Sequence, residues 1–269
     1  MISANYIANL FRTQRVGLAA AFVFLAAFLN LMMFLVQTLD LPSMLQEVVR
    51  MFPAPAQKLF GDQFITDYSV NGVVALGFEH PLIFVTFFFV GISLPVRQLA
   101  GAVERGTLEL LLTMPVSRLR IGLSLWAASG AFLLILLVGC WLGTGLGLAL
   151  FPATRDLDVV IVLRLGLNLW LLTFAVSSYA LLISAYARET APAVQLAVGL
   201  TLLFFFLDYA AQIWPAIEVL GPLSPFHYYD SQELLRGDAP WMRNALVLLG
   251  LALICGSVGL KRIQRRDVP

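Results

Sequence analysis

Apolar residues run along this chain in blocks, and short polar stretches separate them. The blocks Val16–Gln37, Pro81–Val96, Ile121–Phe151, Val159–Ala185, Ala191–Ile213 and Trp241–Leu260 are each long enough, or nearly so, to cross a bilayer as a helix. Such a crossing takes about 20 mainly apolar residues. The second block is short counted from Pro81. Extended back to Asn71, it takes in Glu79 and His80 at its outer end. The pattern predicts an all-α integral membrane protein with spans near 16–37, 72–98, 119–151, 159–186, 191–213 and 241–260, in one domain covering 1–269. Two shorter stretches show helical periodicity. In Tyr6–Arg15, the residues Tyr6, Ile7, Leu10 and Phe11 share a face, while Asn9, Arg12 and Gln14 fill the rest. This segment is expected to lie along the inner membrane surface with Arg12 and Arg15 at the headgroups, or to act as a plain juxtamembrane anchor. In Ser43–Phe52 the apolar positions 44, 45, 48, 49 and 52 repeat at helical spacing, and Pro53 and Pro55 follow. That stretch reads as a helix on the outer leaflet or packed on the protein's own outer surface.

Composition agrees with the pattern. Of 269 residues, 60% are hydrophobic and only 12% are charged, whereas a soluble domain carries roughly 25%. So few charges cannot cover a water-facing surface, so lipid must cover it. The net charge of +1 gives no pull toward nucleic acid. Cys140 and Cys255 lie inside apolar runs and read as small core filler, with no disulfide or metal pattern. The first apolar run exceeds the roughly 7–15-residue core of a signal peptide and reads as a retained span.

Charge placement sets the orientation, because Lys and Arg in short loops mark the cytoplasmic side. With the N terminus inside, eleven of the 17 basic residues fall on the inner side, among them Arg12, Arg15, Arg97, Arg105, Arg118 and Arg120. Six fall outside. Both termini are therefore expected in the cytoplasm.

Catalytic motifs are missing. The two lysines, Lys58 and Lys261, sit in no glycine-rich phosphate loop, so ATP binding by that route is excluded. No His-Glu-x-x-His zinc pair and no Gly-x-Ser-x-Gly elbow occur. His80 and His227 are far apart in sequence. The chain is expected not to be an enzyme, and no metal site is expected.

The distinctive stretch is Glu104-Arg-Gly-Thr-Leu-Glu-Leu-Leu-Leu-Thr-Met-Pro-Val-Ser-Arg118, a charged amphipathic loop between two spans. Gly106 and Thr107 open a short helix, and Leu108, Leu111 and Leu112 share one face, with Glu109 and Thr113 elsewhere. Pro115 stops it. Ser117 caps the next span, whose first turn carries Arg118 and Arg120. On pattern alone the element either docks a partner or folds back onto the bundle.

These residues resemble the inner loop of ABC-2 type transporter permeases, where a Glu-x-Gly-Thr-Leu-Glu-Leu-Leu-like run precedes Pro-Val-Ser-Arg. Leu223–Tyr228, Leu-Ser-Pro-Phe-His-Tyr, resembles the family's segment before the last span. The resemblance implies the membrane-spanning subunit of an ATP-driven exporter in the plasma membrane. A separate soluble ABC ATPase would bind the ATP and Mg, so this chain needs no cofactor. A second permease copy, identical or related, would complete a dimer. About Gly106–Met114 would be the coupling helix, with Glu104, Gly106, Thr107, Leu108, Glu109, Leu111, Leu112, Pro115 and Arg118 at the ATPase contact. Tyr6, Leu10, Phe11, Arg12 and Arg15 would belong to the interfacial helix. Ala187–Pro192 would add a smaller inner contact, and Trp214–Pro240 short outer helices closing the path. A non-transport anchoring or assembly subunit is the alternative.

Polar residues inside the spans are the remaining candidates. Asp208 lies among apolar residues near an outer end, where acids are costly and often functional. It is expected either to bond Tyr209, Gln212 or Arg164, or to serve with Glu79 and His80 at a path or gate. Gly139, Gly143 and Gly147 form a small-residue stripe suited to close helix packing, within the protomer or across a dimer.

Overall fold

The structure, a computed structural model, describes residues 4–39, 47, 50–51, 70–106, 117–229, 231 and 240–265. Among these residues there are helices and turns and no strand. The helices are α1 (Ala4–Thr38), α2 (Val70–Glu79), α3 (Pro81–Glu104), α4 (Arg118–Leu150), α5 (Val159–Tyr186), α6 (Thr190–Ile213) and α7 (Trp241–Gln264). Six of them, all but α2, are long and apolar enough to cross a membrane.

Two boundaries differ from the expectation. The N-terminal stretch is not a separate element, because α1 runs 35 residues without a break between Arg15 and Val16. No proline interrupts it, and the Thr13 hydroxyl donates back to the carbonyls of Asn9 and Leu10 within the helix. The apolar side of this stretch packs on the protein itself. Leu10 is buried against Leu94, Leu99, Leu125, Phe132 and Ile263, with Tyr6, Ile7 and Phe11 beside it, while Arg12 and Arg15 are exposed. The second block is split at His80. Pro81 has no N–H to continue the ladder, and His80 Nδ1 accepts the Leu82 N–H at 3.2 Å, capping α3. The helix then runs on to Glu104, beyond the predicted end near 98.

α1 and α4 lie side by side and run in the same direction. Phe11 meets Phe132 at 4.4 Å between ring centroids, and Gln37 reaches the backbone N–H of Ala153 just past α4. The glycine stripe makes this contact, within the protomer. A Cβ at Gly143 would sit 2.2 Å from the Ala26 carbonyl oxygen, and one at Gly147 would sit 2.4 Å from Met33 Cβ. Helices in lipid associate through packing of small residues, and here the two backbones touch.

α5 is the centre. Every residue from Leu171 to Leu181 is buried. Three of its hydroxyls bond within the helix: Thr173 donates to Leu169, Ser178 to Phe174 and Ser184 to Ala180 carbonyls. The indoles of Trp126 and Trp170 tie α4 to α5 through the Ser178 hydroxyl and the Gly130 carbonyl, at 2.8 and 2.9 Å. α6 lies at the edge. Only Ala193, Ala197, Thr201, Asp208 and Ala211 are buried, one narrow stripe at helical spacing.

Candidate functional site

Polar groups gather at two places, one at each end of α6. After Ile213 the chain folds back through two short 3₁₀ helices, Glu218–Leu223 and Pro225–Tyr228. Pro215, Pro222 and Pro225 deny it the N–H groups of a continuous α-helix. Among the described residues of Trp214–Pro240, the short outer helices expected from sequence are these two 3₁₀ pieces of six and four residues. They reach into the bundle. Asn168, the tenth residue of α5 and so about 14 Å along it, donates from Nδ2 to the Tyr228 carbonyl at 2.8 Å.

Three elements hold this returning segment. From α6, the Phe204 carbonyl accepts the Ser224 hydroxyl at 2.8 Å, and the same hydroxyl accepts the Phe226 N–H at 3.1 Å. From α2, the Phe78 carbonyl accepts the Tyr229 hydroxyl at 3.4 Å, and Glu79 Oε1 accepts the Ser231 N–H at 3.2 Å. α5 supplies Asn168. Backbone groups without helical partners are thus satisfied by side chains, as irregular structure inside a membrane protein requires. Phe226 plugs the middle of the segment, with ring centroids 5.6 Å from Phe88, 5.4 Å from Phe205 and 6.3 Å from Phe84.

A polar cavity of about 360 Å³ opens between the end of α6, the returning segment and the start of α7. Asp208, Gln212, Glu218, His227 and Arg243 line it. Asp208 is 7% exposed, and Gln212, one of its expected partners, donates to it at 2.9 Å. His227 Nδ1 lies 3.6 Å from its other carboxylate oxygen, within ion-pair range and beyond hydrogen-bond reach. Gly221 admits this arrangement, since a Cβ there would stand 3.3 Å from His227 Nδ1. Of the gate residues predicted, Asp208 and Glu79 both touch the returning segment, from α6 and α2. His80 caps α3, and its ring lies tilted beside Phe28, 4.8 Å between centroids.

At the inner end, Glu104 closes α3 and reaches Thr190, the first residue of α6. Its carboxylate accepts the Thr190 backbone N–H at 2.9 Å and the Thr190 hydroxyl as well. Glu189, which precedes α6, makes no side-chain cap of its own. Gly101, one turn before Glu104, permits the approach: a Cβ there would lie 3.2 Å from the Thr190 hydroxyl. Gly106 follows at φ +65, the left-handed conformation that ends a helix and favours glycine. Ser117 accepts the Arg120 N–H at 3.4 Å and so caps α4, with Arg118 in its first position. Thr107, Leu108, Glu109, Leu111, Leu112 and Pro115, and most of the Ser43–Phe52 stretch, lie outside the described residues.

Asn168 and Tyr229 were not singled out from sequence, though Asn168 carried a signal, an amide inside an apolar run; Ser224 and Phe226 lay within the quoted Leu223–Tyr228 motif and Thr190 within Ala187–Pro192, without individual roles. Among the described residues no group of three His, Cys, Asp or Glu side chains could hold a metal ion.

A comparison with curated proteins finds no match. A family model described as ABC-2 family transporter protein matches residues 11–268, nearly the whole chain and all six long helices. The chain thus belongs to the ABC-2 transporter family, as a multi-pass membrane permease subunit without an ATPase domain of its own.

Proposed function

We propose that this permease is the path-forming subunit of an exporter in the plasma membrane, driven by a separate soluble ABC ATPase, with both termini in the cytoplasm. ATP and Mg are held by that partner. Two permease copies, identical in the simplest arrangement, face each other. The loop between α3 and α4 carries the coupling helix, with Leu108, Leu111 and Leu112 toward the ATPase and Glu109 and Thr107 at its rim. The returning segment between α6 and α7 closes the outer end, with Asp208 and Glu79 among its fastenings.

The observation that carries this reading is the anchoring of that inner loop. Glu104 at one end is bound to α6, and Ser117 at the other end caps α4. A push on a loop so fastened moves stiff helices and not slack chain. Basic residues at the inner helix ends, Arg12, Arg15, Arg118, Arg120 and Lys261, agree with the cytoplasmic assignment.

Purification of the tagged chain in lipid nanodiscs tests the proposal. The expected result is a co-purifying ABC ATPase whose hydrolysis is altered by the permease, and whose coupling is lost in Leu111→Asp. Recovery of no ATPase, or an unchanged coupling in Leu111→Asp, contradicts it. An ATPase that binds but drives no movement in the permease marks the anchoring role instead.

A further inference from the structure

The inner and outer polar clusters belong to one helix. α6 is 24 residues long, about 36 Å, and carries Thr190 at one end and Phe204, Asp208 and Gln212 toward the other. Between these ends its buried positions are mainly alanines, Ala193 and Ala197 against Ile92, Val96, Ala100 and Tyr179. The specific polar links are the Thr201 hydroxyl to Tyr179 at 2.5 Å, and the two clusters at the ends.

The inner link is unusual in its source. A helix leaves its first N–H groups without intrahelical partners, and the residue just before the helix commonly supplies an oxygen. Glu189 makes no such bond here. The oxygen comes from Glu104 on α3, 86 residues away. A carboxylate also suits the positive end of the helix dipole. Glu104 is the last helical residue before the inner loop, so the loop and α6 share one attachment point.

We infer that Glu104 is a positioning residue that fastens the inner end of α6 to α3, so that movement of the loop between α3 and α4 passes along α6 to the returning outer segment. This rests on the reading of the chain as an ATPase-driven permease. The Glu104 carboxylate, expected from the resemblance at the ATPase contact, engages Thr190. The outer end of α6 then carries the motion to Ser224 through the Phe204 carbonyl, and to His227 through Asp208.

The test uses the full permease–ATPase complex in nanodiscs. Val219, 79% exposed on the returning segment, is replaced by Cys in a Cys255→Ser background; Cys140 is wholly buried. Maleimide labelling is timed with and without ATP, using a hydrolysis-deficient ATPase. ATP is expected to change the labelling rate in the parent. Glu104→Ala, which removes the acceptor, is expected to abolish that change while ATPase co-purification stays at the parent level. Glu104→Asp, which keeps the charge, restores part of it. A full ATP response in Glu104→Ala overturns the inference, as does loss of the ATPase from that variant, which would place Glu104 at the contact surface.

A second readout needs no ATPase. In the permease alone, hydrogen exchange at the Val194–Ala197 amides, which close the first turn of α6, is expected to quicken about fivefold in Glu104→Ala, the worth of a helix cap. Unchanged exchange removes the cap and the inference with it. A parent chain that recovers no ATPase, with the exchange result intact, sinks the functional reading and leaves the cap standing.

Discussion

α5 and α6 are consecutive, similar in length and similarly apolar, yet the protein uses them in opposite ways. In the apolar window of α5, 61% of residues are buried, against 17% for α6. α5 is gripped along its whole length by α3, α4 and α7. Two tryptophan indoles pin it, and Gly166 lets Trp141 and Leu137 close on it. α6 touches its neighbours along one narrow stripe and is fastened by hydrogen bonds toward its two ends and by Thr201 to Tyr179 at its middle. A packed interior behaves as a solid, so α5 is expected to stay in place when its neighbours shift. A stiff helix held mainly at its ends can shift as a unit, carrying whatever is tied to those ends.

The contrast can be broken most forcefully at α5. Leu172 is fully buried in the main core, so Leu172→Ala should cost about 2–5 kcal/mol. The thermal midpoint in a fixed detergent would fall accordingly. Leu203 on α6 is 61% exposed, and its truncation should leave that midpoint nearly unmoved. Equal losses at the two positions would erase the distinction.

A matched pair of glycine substitutions sharpens it. An added Cβ at Gly166 would lie 2.5 Å from Trp141 Nε1, whereas nothing stands within 4 Å at Gly199. Gly166→Ala should destabilise by about 1–3 kcal/mol, the usual cost of overpacking. Gly199→Ala should stabilise by about 0.5–1 kcal/mol, because glycine inside a helix is entropically costly. The same chemical change is thus expected to have opposite signs on adjacent helices, read by unfolding in matched detergent.

Between these lies the returning segment, fastened to both helices. Asn168→Leu removes the donor to the Tyr228 carbonyl, and a buried carbonyl left unsatisfied costs about 1–3 kcal/mol. Ser224→Ala removes the link to Phe204, worth about 1 kcal/mol. Hydrogen exchange over residues 217–229 should rise in both, and more in Asn168→Leu. The reverse order would mean that α6, not α5, carries the segment's main support.

Much of this architecture was readable from the chain. Six apolar blocks marked the long helices, Ser117 announced its cap, and Pro215, Pro222 and Pro225 announced the broken outer segment. The glycine stripe foretold close packing, though only the fold shows that α1 is its partner. What stayed hidden were pairings between distant residues. Glu104 with Thr190, Asn168 with Tyr228, and Glu79 with Ser231 are separated by 86, 60 and 152 residues. No periodicity links such positions, because each side chain meets a backbone group, and a backbone group carries no residue identity. The break at His80 was missed for a related reason. Apolar residues continue on both sides of it, and hydropathy cannot distinguish one helix from two joined at a proline.

The central claim is that α6 moves while α5 stays fixed. Spin labels at Gly199→Cys on α6 and Leu163→Cys on α5 report one distance, and labels at Leu146→Cys on α4 and Leu163→Cys report a reference; all three positions are exposed. Measured by pulsed electron resonance in the permease–ATPase complex, the α5–α6 distance should change when ATP binds, while the α4–α5 distance stays constant. An α5–α6 distance that ignores ATP, or two distances that change together, would contradict the account.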